Sequence, residues 1–225
     1  MACIHRSAPL LLSSGLVLAC GSSEPHHHGH HGMPHRFDDA ERWSAVFDDP
    51  ERDEWQQPDL VVSRVVTRPS MRIVDLGAGT GYFTLRFARA VPDGEVIAVD
   101  LESTLLRHID QRASKDGLSN VRTWLGAADD PQLDDWRGKL DRIFLCNTYH
   151  HIPDRPAYFA KLANLLTRDG RIVIVDFRPS SPKGPPRELK VSVETVVAEM
   201  EEAGLVLVER YDGLPDQYLL ELQKR

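Results

Sequence analysis

With 225 residues, 41% of them hydrophobic, the sequence suits one domain with a sizeable buried core plus an extension. The formal net charge of −7, without a long basic run, argues against nucleic acid as a partner. The three cysteines, Cys3, Cys20 and Cys146, form no metal-binding or disulfide pattern.

Residues 1–22 have the features of a targeting segment. An apolar stretch from Ala8 to Ala19 follows a weakly basic start, and it is too short to span a bilayer. Its end, Val17-Leu18-Ala19-Cys20, resembles a bacterial lipoprotein signal, which predicts a cell-envelope protein anchored to the membrane through lipidated Cys20. The alternative is a mis-assigned start codon with translation from Met33, which would leave a cytoplasmic protein.

A histidine-rich linker, residues 23–36, comes next. Its imidazoles are His26, His27, His28, His30, His31 and His35. Clustered imidazoles bind zinc, nickel or copper. We expect metal binding at this linker to be adventitious and predict no functional metal site.

Residues 37–67 carry two helical patterns. Ala40, Trp43 and Phe47 share one face of a helix predicted near 39–47, and the tract at 48–50 breaks it. A second helix is predicted near 59–66.

The most informative stretch, residues 71–83, is typical of a strand, a glycine loop and a helix in that order. An apolar run ends near Asp75, and glycines stand at alternate positions, Gly77, Gly79 and Gly81. Glycines let the backbone turn tightly and let a ligand approach the main chain. The helix N-terminus that follows presents free amides to an electron-rich group.

The spacing of these glycines argues against a nicotinamide oxidoreductase. A dinucleotide-binding loop has a glycine where this chain has Tyr82, and a bulky residue there disfavours a diphosphate on the loop. A second buried strand, 95–100, ends in Asp100, an acid placed to hold two ribose hydroxyls. A ribose without a diphosphate indicates a nucleoside such as S-adenosylmethionine.

Beyond Asp100 the chain alternates helices and strands, which predicts a doubly wound α/β sheet with helices on both faces. A helical face runs from Leu105 to Ala113 and another from Val193 to Met200. The predicted strands lie at 120–125, 141–147, 171–177, 205–211 and 217–223.

Over residues 55–225 the chain resembles class I S-adenosylmethionine-dependent methyltransferases. The resemblance rests on four segments, which are Asp75-x-Gly77-x-Gly79-x-Gly81, Asp100, Asn147-Thr148-Tyr149-His150-His151 and Asp169–Asp176. It implies a Rossmann-like, mostly parallel sheet with an antiparallel terminal strand, in a methyltransferase domain at 68–225. It also implies an N-terminal helical lid at 37–67, in which Trp55 and Gln56 either close over the cofactor or simply pack against the core.

The resemblance also implies the cofactor contacts. The predicted set is Asp75, Gly77, Ala78, Gly79, Thr80, Gly81, Tyr82, Asp100, Leu101, Ala128, Asp129 and Asn147. In this family an acid after the third strand receives the adenine amino group, but Ala127 occupies that place here. Asp129 or Asp130 could serve instead, and Asp129 is preferred.

Three residues after the fourth strand are candidates for catalysis: Tyr149, His150 and His151. A neutral imidazole titrates near the working pH and can accept a proton from an acceptor, so His150 is favoured as a general base. Adjacent histidines after a strand also serve to pack and cap. Asp176, at the end of the fifth strand, could orient the acceptor or bond a neighbouring loop.

These patterns predict methyl transfer from S-adenosylmethionine to a small-molecule acceptor. The alternative is a non-catalytic envelope lipoprotein that binds a nucleoside or metal on a methyltransferase scaffold.

Overall fold

The computed structural model describes residues 40–225. The lipoprotein-like segment 1–22 and the histidine-rich linker 23–36 lie outside the described residues. Within the described part, no helix is long and apolar enough to cross a membrane. The same residues contain no cluster of three or more histidine, cysteine or acidic side chains able to hold a metal ion.

The described chain contains seven α-helices and seven strands, with three short 3-10 helices in the connections. The helices are α1 (Ala40–Phe47), α2 (Arg52–Gln56), α3 (Pro58–Val65), α4 (Thr84–Ala90), α5 (Ser103–Lys115), α6 (Arg155–Ala163) and α7 (Val193–Glu202). The strands are β1 (Arg72–Leu76), β2 (Glu95–Asp100), β3 (Val121–Leu125), β4 (Leu140–Cys146), β5 (Leu166–Phe177), β6 (Leu205–Tyr211) and β7 (Gln217–Lys224).

The strands form one sheet in the order β3-β2-β1-β4-β5-β7-β6. Strands β1 to β5 pair in parallel, and β7 is antiparallel to both of its neighbours. The connection from β6 to β7 is only five residues, 212–216, and so short a connection joins antiparallel strands. The predicted fold class, a mostly parallel doubly wound sheet with an antiparallel terminal strand, is confirmed.

Helices cover both faces of the sheet, as the buried side chains show. Ile143 and Ile172 pack on one face with side chains of α6 and α7. Phe144 and Val173 pack on the other face with side chains of α3 and α4. Neighbouring strand residues therefore point to opposite layers, each closed by helices.

Local backbone geometry explains where the elements differ from the sequence prediction. The short helix α2 was not predicted; Gln57 ends it in a left-handed conformation (φ 47°), and Pro58 then begins α3. Strand β4 stops at Cys146, one residue early, because Asn147 is left-handed (φ 58°). Strand β5 begins before residue 171, since Leu166 already pairs with Leu140.

The strand order determines where a ligand-binding crevice lies. The chain runs outward from β1 through β2 to β3 and then crosses back to β4 on the other side of β1. Ligands of open α/β sheets bind beyond the carboxyl ends of the strands at this reversal. The segments that follow β1, β2 and β4 therefore bound the candidate site.

Candidate active site

The glycine loop after β1 turns back against β2. The amides of Gly77 and Ala78 both donate to Val99 O, at 2.8 and 3.0 Å. Gly77 has φ +74°, and a Cβ added to it would lie 2.4 Å from Thr148 Oγ1. Only glycine allows this backbone conformation and the close approach of the segment after β4. The loop thus joins the ends of three strands.

Asp100 lies directly beside this loop. Its Oδ2 accepts a hydrogen bond from the Gly79 amide at 2.9 Å, and its Oδ1 accepts one from the Glu102 amide at 3.0 Å. Burial raises the pKa of the carboxyl, and these amide donors oppose the rise. The carboxylate predicted to hold a ribose is therefore fixed in orientation by main-chain donors.

Asp75 lies deeper, at the end of β1, and is 3% exposed. Its Oδ2 accepts a hydrogen bond from Thr84 Oγ1 at 2.6 Å. Burial raises the pKa of this carboxyl to about 6, and the negative charge of Asp100 adds to the rise. Its ionisation therefore falls near the physiological range and responds to a charged neighbour.

Two polar atoms around the loop lack partners. Thr80 is 1% exposed, and its Oγ1 is buried without a hydrogen bond. The Nε of Arg52 is buried in the same way. Unpaired buried polar atoms are uncommon because they cost free energy. Both are consistent with a polar ligand in this crevice.

The N-terminal segment lies over the glycine loop. The ring of Phe47 comes within 3.5 Å of the Cβ position of Gly79, and the Arg52 guanidinium stacks 3.8 Å from the centre of the Tyr82 ring. Arg112 bridges the two segments, donating to Asp48 Oδ2 and to the Thr80 carbonyl at 2.8 Å each. Arg52 was not among the residues predicted for the site, and its only sequence signal was its place in the predicted lid.

Three side-chain amides connect this segment to the sheet. Gln56 Nε2 donates to Gln217 Oε1 at 2.5 Å, and Gln217 Nε2 donates to Asn147 Oδ1 at 2.5 Å. Gln56 and Gln217 are both fully buried. We call these three residues the amide relay. The predicted cofactor contact Asn147 is thus engaged by protein on its carbonyl side.

His150 and Asp176 form a buried pair. The His150 Nδ1 lies 2.9 and 3.0 Å from the two carboxylate oxygens of Asp176, and the two side chains are 4% and 2% exposed. Asp176 Oδ1 also accepts from the Phe177 amide at 2.7 Å. The adjacency of β4 and β5 brings the pair together. Asp176 thus orients His150, whereas from the sequence it could either orient the acceptor or bond a neighbouring loop.

Tyr149 is not brought to the crevice, contrary to the sequence prediction. Its side chain is fully buried in the core under α6 and α7, and its hydroxyl donates to Glu199. Arg155 pairs with the same carboxylate at 2.6 and 2.7 Å. Burial and the Glu199 carboxylate raise the pKa of Tyr149 well above its usual range. Tyr149 therefore has a structural role here.

His151 is exposed, with its ring centre 4.2 Å from that of His150. It lies beside the buried pair and packs against it. The structure therefore distinguishes the two adjacent histidines, of which the sequence favoured His150.

The predicted adenine contacts follow β2 and β3. Leu101 is 55% exposed beside Asp100, and Ala128 and Asp129 are exposed in the turn after β3. Asp130 pairs with Lys161 at 2.9 Å, and that partner lowers the pKa of the Asp130 carboxyl. Asp130 is therefore engaged, which leaves Asp129 as the candidate acid.

A cavity of about 240 Å³ opens elsewhere, between the β3–β4 connection and α6. Among its lining residues are Asp130, Arg137 and Lys161, and of the residues that the sequence offered for the site only the alternative adenine acid Asp130 lines it. Two of the charged side chains that line this cavity, Asp130 and Lys161, already pair with each other. We place the candidate site at the crevice, where the topology and the unpaired polar atoms coincide.

Comparison with known proteins identifies the family of the chain. Residues 67–213 match a family described as a methyltransferase domain. The chain is similar to nocamycin O-methyltransferase of Saccharothrix syringae, with 33% identity over 106 residues, 47% of this chain and 37% of that protein. It is also similar to the ubiquinone/menaquinone biosynthesis C-methyltransferase UbiE of Teredinibacter turnerae, with 29% identity over 125 residues, 55% of this chain and 49% of that protein.

Among solved structures, the fold is similar to that of a SAM dependent methyltransferase from Aquifex aeolicus. The TM-score is 0.75 at 22% identity, covering 82% of this chain and 97% of that one. The chain spans less than half the length of the two curated relatives above. The family match, in contrast, covers well over half of the 225 residues. The chain therefore belongs to this methyltransferase domain family, for which S-adenosylmethionine is the implied cofactor.

Proposed function

We propose that this protein transfers the methyl group of S-adenosylmethionine to a small-molecule acceptor. The observation that carries the proposal is the meeting of the glycine loop with two acids, the buried Asp75 and the partly exposed Asp100, at the reversal of the sheet. A ligand with ribose hydroxyls and a positively charged end matches that combination.

The residues present fit such a cofactor. Asp100 would accept from the ribose hydroxyls, and Thr80 Oγ1 would gain the partner it lacks. Leu101 and Ala128 would contact the faces of the adenine, and Asp129 would accept from its amino group. The sulfonium of the bound cofactor supplies an activated methyl group, so the protein mainly aligns the acceptor and excludes water.

His150 would receive the acceptor's proton. Since the Asp176 carboxylate accepts from His150 Nδ1, the proton of the neutral ring lies on Nδ1 and Nε2 is left as the base. The ring is nearly enclosed, and a base in a desolvated position needs such a fixed tautomer to act efficiently. The acceptor class that requires this step is a hydroxyl or similar weak acid.

Aromatic side chains support a flat acceptor beside this base. The rings of Trp55 and Phe177 lie 5.5 Å apart, and Lys183 Nζ lies 5.8 Å from the Trp55 ring. Gly184, in the proline-rich loop 179–187, lies so close to the Phe177 ring that an added Cβ would be 2.3 Å from it. The lid and this loop would thus form two walls of the acceptor pocket.

Calorimetry with S-adenosylmethionine, S-adenosylhomocysteine and NAD tests which cofactor the protein binds. We expect both adenosyl ligands to bind and NAD to give no detectable heat. Tighter binding of NAD would overturn the proposal. Cofactor binding without turnover on a broad set of phenols, quinols, amines and thiols would favour the non-catalytic alternative.

The Asp100→Ala variant should weaken cofactor binding by about 1.5–3 kcal/mol, the range for hydrogen bonds to a charged group. The fold should survive, because Asp100 lies at a strand end and bonds only the adjacent loops. Calorimetric Kd values for wild type and variant, with circular dichroism as the fold control, measure this. An unchanged Kd would remove Asp100 from the site.

We also propose that Cys20 anchors the protein in the cell envelope, on the basis of the sequence Val17–Cys20 alone. In a bacterium with lipoprotein processing, the wild type should fractionate with membranes and take up labelled fatty acid. The Cys20→Ala variant should lose the label. Soluble protein starting near Met33 in the native host would instead support the cytoplasmic alternative.

A further inference from the structure

Arg52, the first residue of α2, lies over the crevice between the ends of β1 and β4. Its guanidinium stacks 3.8 Å from the centre of the Tyr82 ring on the glycine loop. Its Nη2 reaches toward Cys146 Sγ at the end of β4, at 4.0 Å. It is also close enough to Asp75 for its charge to lower the pKa of that carboxyl, against the larger effect of burial.

The hydrogen-bond partners of Arg52 are neutral. Nη1 donates to the Phe47 carbonyl at 2.7 Å, Nη2 donates to Gln56 Oε1 at 3.3 Å, and Nε is buried with no partner. Within residues 40–225, no carboxylate forms an ion pair with Arg52 at 4.0 Å or less. A partly buried guanidinium with no hydrogen-bonded counter-charge is costly, and its planar fork is suited to a carboxylate.

Arg86 provides a comparison on the same ring. Its guanidinium also stacks on Tyr82, at 4.0 Å, but it pairs with both oxygens of Asp53 at 3.1 and 3.2 Å. Two arginines thus contact one aromatic ring, and only Arg86 has a carboxylate partner among the described residues. The difference indicates that the unpaired Nε of Arg52 is available to bind a ligand.

We propose that Arg52 binds the carboxylate of the amino-acid end of S-adenosylmethionine; this inference rests on the proposed function. The amino-acid end is a zwitterion, and the crevice holds one matching charge of each sign, Arg52 and Asp75. The orphaned Nε and one Nη atom can donate in parallel to the two carboxylate oxygens. The lid would then close on the cofactor through this ion pair.

The amide relay holds Arg52 in place. Gln56 Oε1 accepts from Arg52, and Gln56 Nε2 continues through Gln217 to Asn147. The neighbouring Cys146 thiol also lies 3.4 Å from Gln56 Oε1, and burial raises its pKa to about 12, so it stays neutral. Gln56 is therefore a positioning residue that ties the orientation of Arg52 to the sheet.

The test compares S-adenosylmethionine with its decarboxylated form, which lacks only the carboxylate. Calorimetry on the wild type should show tighter binding of S-adenosylmethionine by roughly tenfold to a hundredfold, the range for a charge-assisted hydrogen-bonded pair. Arg52→Gln should lose most of that preference while binding the decarboxylated ligand nearly as well as the wild type. Arg52→Lys, which keeps the charge and loses the fork, should retain an intermediate preference.

Arg86→Gln is the matched control, because it changes stacking on the same ring and should keep the wild-type preference. Equal weakening of both ligands by Arg52→Gln would show that Arg52 only packs the lid, and an unchanged preference would also overturn the inference. A wild type that binds neither ligand would overturn the proposed function itself, which is a different result from either of these.

Discussion

Replacing His150 with alanine should lower turnover by about 10²–10⁴-fold, the usual contribution of a positioned general base. Cofactor affinity should change little, because the imidazole bonds Asp176 and not the glycine loop. The measurement is steady-state methyl transfer to a hydroxyl acceptor found by screening, together with the calorimetric Kd of the cofactor.

The Asp176→Asn variant provides a second test of the role of the His150–Asp176 pair. An amide in place of the carboxylate offers an N–H toward Nδ1 and favours the ring tautomer with its proton on Nε2, where the base is needed. We expect a loss comparable to that of His150→Ala, with cofactor binding retained. The exposed neighbour supplies the control: His151→Ala should act mainly through stability and leave kcat near the wild-type value.

Equal turnover in wild type and His150→Ala would show that alignment of the acceptor is sufficient. The buried pair would then be a structural contact between the ends of β4 and β5.

Asp75→Asn should stabilise the cofactor-free protein at neutral pH while impairing cofactor binding. Burial raises the pKa of Asp75 from 3.8 to about 6, so the folded state binds its proton more tightly than the unfolded chain does. The stability from that proton is present below about pH 4 and is lost as the pH rises through about 6. The free energy of unfolding falls by at most roughly 3 kcal/mol, and the asparagine variant should not show this loss.

Urea unfolding of both proteins at pH 4 and pH 7.5 measures this effect. The variant should be more stable than the wild type at pH 7.5, and the difference should shrink at pH 4. Asp93→Asn, at an exposed position outside the helices and strands, is the control for the change of acid to amide, and its stability should stay within about 0.5 kcal/mol of the wild type. A variant less stable than the wild type at pH 7.5 would mean that the ionised carboxylate and its bond to Thr84 outweigh the burial of charge.

The ionisation of Asp75 also predicts that the affinity for the cofactor depends on pH. A ligand with a positively charged end favours ionised Asp75, so affinity should rise as the pH increases from 5 to 7. The Asp75→Asn variant should lose this dependence.

The sequence by itself determined the fold class and the family. An apolar run, alternating glycines and a helical pattern are local signals, and each is readable without knowing what packs against it. Repetition of strand and helix then predicts a doubly wound sheet, and Asp100 ends its strand at a position that the topology brings to the crevice. Local signals also located the candidate cofactor loop.

Only the tertiary structure decided which polar side chains meet. His150 and Asp176 are 26 residues apart, and Gln56 and Gln217 are 161 apart; these pairs exist because β4 lies beside β5 and α2 packs over the start of β7. Tyr149 points into the core although it adjoins His150, because each side chain in a tight turn takes its direction from packing and not from sequence spacing. Arg52 lies over the glycine loop for the same reason: the placement of the N-terminal helices depends on surfaces formed by distant parts of the chain.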